Sequence, residues 1–218
     1  MNENSFELSE LQVDALTELV NLGISQAALN LREMVREEVL LTVPKVTIIT
    51  RDAAVANLGE GVFQRLVAVH QSFEGEITGR ALLIFPEEKS LELVRAVVGG
   101  DLSIEEMIEL EQEALAETGN VLLNGCLGSI ANSLEQSLRI SLPEVVHGQG
   151  AELIGLSPEM VGDSVVFIYI NFTVRLRAIS GYIAMLLDLH SLLALKALLS
   201  AFIERTTGVK TAPAQAQE

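Results

Sequence analysis

Tryptophan is absent from this 218-residue chain, and aromatic residues make up only 4% of it against 49% hydrophobic residues, so its core must be aliphatic. The single cysteine, Cys126, excludes an internal disulfide and suits a reducing compartment. Basic residues are scarce: 14 Lys plus Arg stand against 30 Asp plus Glu, a formal net charge of -16. A field of that sign repels nucleic acid and anionic membrane, and it favours a partner with a basic patch. It also keeps an aliphatic-rich chain soluble. No apolar run reaches the roughly 18 residues of a membrane span. The start, MNENSFELSE, lacks the basic and apolar segments of a signal peptide. The expectation is a cytoplasmic protein with neither nucleic acid nor membrane as partner. There is no Gly-x-Gly-x-x-Gly or Walker-type loop, which disfavours a nucleotide-binding enzyme. His70, His147 and His190 share no metal-ligand spacing with one another or with Cys126, which argues against a zinc site. Cys126 reads as a small buried apolar residue. No cofactor of the chain's own is expected.

What the sequence does contain is a repeat. A shift of 99 residues lays LQVDALTELVN, from Leu11, on LEQEALAETGN, from Leu110. Leu11, Ala15, Leu16, Glu18 and Asn21 then match Leu110, Ala114, Leu115, Glu117 and Asn120, and Pro44 lands on Pro143. Further on, Gly79 matches Gly181 at an offset of 102. Each half opens on a long helix, Ser9 to Glu37 and Ser103 to Leu138, the second with potential breaks at Gly119 or Gly125. Both begin with a capping-box pattern, SELQ and SIEE. Strand-like runs follow: KVTIIT, VFQRLVAVHQSF and ITGRALLIF, then EVVHG, SVVFIYINFTV and ISGYIAMLL. Each half closes on an apolar helix, SLELVRAVVG or SLLALKALLSAFIE, and VVGGD reads as a helix stop between the halves. The fold class expected is α/β, or more strictly α+β: an internally duplicated, pseudo-two-fold, largely antiparallel sheet covered by long helices. Residues 1–8 read as a flexible N-terminus and 206–218 as a disordered tail. Residues 9–205 read as one domain of two repeats, about 9–100 and 101–205.

On the first long helix, Asp14, Glu18, Asn21 and Ser25 are spaced four, three and four apart. At about 100° per residue they fall within a stripe of roughly 60°. Glu113, Glu117, Asn120 and Asn124 trace the same stripe in the second half. A lone polar stripe reads as a solvated helix face. Its recurrence among divergent neighbours points to more. Glu and Asn one turn apart form no nucleophilic device, because Asn is not a base and Glu has no acid or His beside it. Asn can orient a water molecule, since its amide carries donors and an acceptor. That suits in-line attack on a phosphoryl group, where catalysis is largely positioning and charge stabilisation. The Glu is suited to pairing with a Lys of a phosphorylated partner.

The pattern acid, Glu, Asn, Pro, as Asp14, Glu18, Asn21, Pro44 and again Glu113, Glu117, Asn120, Pro143, resembles the signature of the CheC/CheX/FliY phosphatases of bacterial chemotaxis. The resemblance covers nearly the whole chain, and two intact motifs at this length favour a CheC-like member. It implies a hydrolase that removes the phosphate from the aspartyl phosphate of a CheY-type receiver. The long helix docks on the receiver, Asn21 and Asn120 position the attacking water, and Glu18 and Glu117 support docking. Mg2+ is supplied by the receiver substrate. CheD, a receptor deamidase, is a further partner by the same analogy. Pro44 and Pro143 are expected to end the helical region before the first strand of each half. The first motif departs from the family in having Val20 where Gly precedes the Asn. The second keeps Gly119 but has Glu113 where Asp or Ser is commoner. Since Val would crowd an approaching receiver and Gly permits close backbone approach, the second site is expected to be the better one. The alternative is a non-catalytic adaptor or flagellar-switch-like binding protein on the same fold.

Overall fold

The computed structural model describes residues 6–35, 38–58, 65–99, 103–155, 164–174 and 177–208. Helix α1 runs Glu10–Val35 and strand β1 Val39–Thr50, followed by α2, Arg51–Leu58. Strands β2, Leu66–Glu74, and β3, Gly79–Pro86, form a hairpin that leads into α3, Ser90–Val98. The second half contains α4, Ile104–Ser133, the short strand β4, Arg139–Ile140, β5, Glu144–Gly148, and α5, Gly150–Gly155. It ends with the hairpin β6, Ser164–Val174, and β7, Arg177–Leu187, and with α6, Leu189–Thr207.

The strands make one antiparallel sheet in the order β1-β6-β7-β3-β2, with β4 and β5 both pairing β2. Exchanging β1 with β5, β6 with β2 and β7 with β3 leaves that order unchanged. The register has the same relation: Val46 pairs with Ile168 and Val145 with Val69, each residue of one pair standing 99 positions from its counterpart in the other.

Side-chain periodicity explains the layers. Leu16, Leu19, Val20, Ile24, Ala27 and Leu31 recur at steps of three, one and four along α1 and are all essentially fully buried. Leu115, Leu122, Leu123, Cys126, Leu127 and Ile130 do the same along α4. These two stripes pack on each other and on one face of the sheet, against Val67, Val69 and Phe73 of β2 and Val166, Ile168 and Ile170 of β6. The alternate residues, Ala68, Val165 and Phe167 among them, face the other side and are covered by α2 and α5. Helix α6 adds Leu192, Leu195 and Leu199 to the first core, so most of its apolar face is packing surface.

Several expectations are met in detail. Ser103 and Glu106 form a reciprocal capping box at the start of α4. Ser9 and Gln12 do the same at α1, with the Ser9 N–H donating to Gln12 Oε1 at 2.9 Å. Gly99 stops α3 in a positive-φ conformation. Other expectations are corrected. Helix α4 runs unbroken through Gly119 and Gly125, because both lie against neighbouring elements that hold the helix in place. Pro44 does not end a helix: α1 is assigned only to Val35, and Pro44 lies inside β1, which begins well before KVTIIT. β1 is an edge strand and its register shifts between Thr42 and Lys45, which is where a residue lacking an N–H is tolerated. Pro143 directly precedes β5, at a strand start. The short helices α2 and α5 were not expected. Phe6 and Leu8 pack against the core, whereas residues 1–5, Arg36, Glu37 and 209–218 lie outside the described residues. Thr206 and Thr207, at the start of the expected tail, belong to α6. Among the described residues no helix is long and apolar enough to cross a membrane.

Candidate functional site

Both polar stripes lie on the outer side of their helices, opposite the core stripes. Asp14, Glu18 and Ser25 are exposed and Asn21 is half-buried on α1. Glu113 and Glu117 are exposed, and Asn120 and Asn124 are half-buried, on α4. Neither Asn21 nor Asn120 belongs to the hydrophobic core. Among the described residues Asp14, Glu18, Glu113 and Glu117 have no ion pair, so these carboxylates are available to an incoming cation.

The two Asn side chains differ in their surroundings. Asn120 Oδ1 accepts a hydrogen bond from Asn124 Nδ2 at 2.8 Å, one helical turn on. It accepts a second, at 3.2 Å, from Gln71 Nε2, which reaches up from β2. Gln71 Nε2 also donates to the Ser141 carbonyl at 2.9 Å. Both bonds to Asn120 end on its oxygen, and among the described residues its two N–H groups have no acceptor. Asn21 has no side-chain hydrogen bond among the described residues. The second amide is therefore braced in one orientation, and the first is not.

Gln71 was missed in the sequence. Alternation along LVAVHQSFE places it on the same face as Val67, Val69 and Phe73, so a polar residue in a core-facing register was the available signal.

Position 20/119, just before each Asn, faces inward. Val20 is fully buried in the core, and a Cβ at Gly119 would lie 2.4 Å from Val69 Cγ1. Neither residue lies on the outer face, so the idea that Val20 crowds a partner is corrected. The Val/Gly difference concerns how close each helix sits to the sheet.

Asn120 and Asn124 also line a groove of roughly 640 Å3 between α1 and α4. Gln26 and Asn30 contribute from α1, and Gly125 and Gly128 open its floor. Asn21, Glu18 and Glu117 lie outside it. Elsewhere, burial pushes the Cys126 thiol up to about 12, so it is an inert core residue. Among the described residues no group of three His, Cys, Asp or Glu side chains could hold a metal ion. The arrangement is one that can present amide N–H groups and carboxylates to another macromolecule.

Comparison with known proteins gives the same direction. The family model described as chemotaxis phosphatase CheX matches residues 67–169. The CheY-P phosphatase CheC of Bacillus subtilis (strain 168) is 28% identical over 141 residues, which span 63% of this chain and 67% of that protein. The crystal structure of Thermotoga maritima FliY superposes with a TM-score of 0.71 at 18% identity, covering 90% of this chain and 100% of that one. The FliM middle domain from H. pylori gives 0.57 at 11% identity, covering 88% and 99%. At those identities the two structures speak for the fold alone. In sequence the chain is similar to two chemotaxis proteins, to CheX over residues 67–169 and to CheC over 141 residues.

Proposed function

We propose that the chain is a hydrolase acting on the aspartyl phosphate of a CheY-type receiver, with Asn120 and Asn21 positioning the attacking water and Glu117 and Glu18 supporting docking. The observation that carries this reading is the Asn120 amide, held with its N–H groups outward on an exposed helix face, one turn from an unpaired Glu117. A donated N–H holds the oxygen of a water while a lone pair of that oxygen faces phosphorus. As the water–phosphorus bond forms, the bond from phosphorus to the receiver carboxylate breaks. The carboxylate leaves, and inorganic phosphate carries away the proton lost by the water. On this reading Mg2+ and the phosphorylated Asp belong to the receiver. CheD is a candidate activator, and the cytoplasm is the compartment of the reaction.

The test is phosphate release from a Mg2+-loaded, phosphorylated CheY-type receiver, with and without the protein. Acceleration that disappears in Asn21→Ala/Asn120→Ala, with the fold intact by circular dichroism, supports the reading. Acceleration that persists in the double variant overturns the water-positioning role. Binding to a beryllofluoride-loaded receiver without any acceleration, also in the presence of CheD, favours the adaptor instead.

A further inference from the structure

We propose that Gln71, on strand β2, is a positioning residue that fixes which end of the Asn120 amide is offered to the partner; this rests on the reading of Asn120 given above. The argument begins at Ser141. Its backbone carbonyl can only accept a hydrogen bond. Gln71 lies 2.9 Å from it, so the Gln71 side chain must turn Nε2, and not Oε1, toward Ser141. The other N–H on that nitrogen meets Asn120 at 3.2 Å, and only an oxygen can accept it. Asn120 therefore keeps Oδ1 inward and its N–H groups outward. Asn124 donates to the same oxygen, but Asn124 Oδ1 is buried and has no partner among the described residues. The Asn124 amide thus follows Asn120, whereas Gln71 is set by a fixed carbonyl. The orientation passes from the chain at Ser141, through the sheet, to the outer face of α4.

Packing does not account for Gln71. It is only 1% exposed, in a strand face otherwise made of Val67, Val69 and Phe73. Its Oε1 is buried without a hydrogen-bond partner among the described residues. A buried acceptor left unpaired lowers stability, and an apolar side chain of the same size removes that cost. A residue that weakens the fold while bracing an outward-facing amide points to a role in the site.

The test uses the full chain carrying Asn21→Ala, so that turnover comes from the second half alone. Gln71→Met removes both N–H donors and keeps the side-chain length. The expected result is a kcat for phosphate release lowered roughly tenfold or more. KM and affinity for the beryllofluoride-loaded receiver stay the same, and the thermal midpoint holds or rises. In a chain that carries Asn120→Ala and keeps Asn21, Gln71→Met leaves the remaining turnover unchanged, because the amide through which it acts is already gone. An unchanged kcat, a further loss in the Asn120→Ala chain, or a raised KM with a lowered midpoint overturns the proposal. So does an inactive Asn21→Ala chain when the wild type is active. Loss of turnover in Asn120→Ala beside normal turnover in Gln71→Met removes only the role of Gln71. No turnover in any chain, the wild type included, removes the phosphatase reading itself. The hydrogen bonds are then still tested by side-chain amide NMR: slow exchange of the Gln71 protons with fast exchange of the Asn120 protons is expected, and the reverse overturns the proposal.

Discussion

Gly23 of α1 and Gly125 of α4 face each other so closely that a Cβ on Gly23 would lie 2.4 Å from the Gly125 carbonyl oxygen. The Ser129 hydroxyl donates to the Leu19 carbonyl at 3.0 Å beside this crossing. The contact sets the distance between the helices that carry the two polar stripes. Gly23→Ala is expected to force them apart and to lower stability by about 1–3 kcal/mol in urea unfolding. Gly128 is the control. A Cβ there meets nothing within 4 Å, so Gly128→Ala is expected to raise stability by about 1 kcal/mol through helix propensity. Equal effects from the two substitutions would show that the crossing is not tight.

The position before each Asn makes a second prediction. If Val20 hindered a partner, Val20→Gly would speed turnover in the first half. Since Val20 is fully buried, the substitution is expected to open a cavity and add a helical Gly, costing about 3 kcal/mol of stability. Turnover per folded molecule, measured in an Asn120→Ala chain, should not rise. An accelerated, stable Val20→Gly protein would restore the idea of a crowded docking face.

That correction shows what the sequence could and could not reveal. The stripes, the capping boxes and the two hairpins were legible, because helix and strand periods leave direct marks on residue order. The inward aspect of Val20 was also legible, since it lies about 100° around the helix from Asn21 and four residues after Leu16. The family pattern drew attention to position 20 as a departure, and helix phase shows which way it points. Helices α2 and α5 were hidden, being too short, as RDAAVANL and GAELIG, to display a helical period. The bracing of Asn120 joins β2, α4 and the segment before β5, and no local pattern in the sequence reports which side chains meet across such elements.

His70 lies on the opposite face of β2 from Gln71 and makes the fold sensitive to pH. Burial holds its pKa below the ordinary 6.5, and Arg80 adds to that effect, while Glu144, 3.6 Å away, opposes it. The unfolded chain then takes up a proton near pH 6.5 before the folded one does. The contribution of His70 to stability is fully present above 6.5 and is lost as pH falls toward the lowered folded value. Urea unfolding at pH 7.5 and 5.5 is expected to show a smaller drop in His70→Leu than in the parent. Glu144→Gln, which removes the opposing charge, should enlarge the drop. Identical pH dependence in all three proteins would mean that His70 titrates normally.

Glu117 and Glu18 give the prediction that separates docking from turnover. Both are exposed carboxylates without an ion pair among the described residues, each one turn before the Asn of its motif. If they meet a Lys of the receiver, Glu117→Lys turns attraction into repulsion. The dissociation constant for the beryllofluoride-loaded receiver should then rise about fivefold to tenfold. Because such a contact is at the rim, the difference should shrink as salt is raised beyond physiological ionic strength. On the proposed reading, in which its amide acts on the water and adds little to docking, Asn120→Ala in the same assay should leave binding nearly unchanged. Glu18→Lys tests the first half in the same way. Were charge reversal at both positions to leave the affinity intact, the carboxylates would be part of a solvated face, and docking would have to be sought in the groove between α1 and α4.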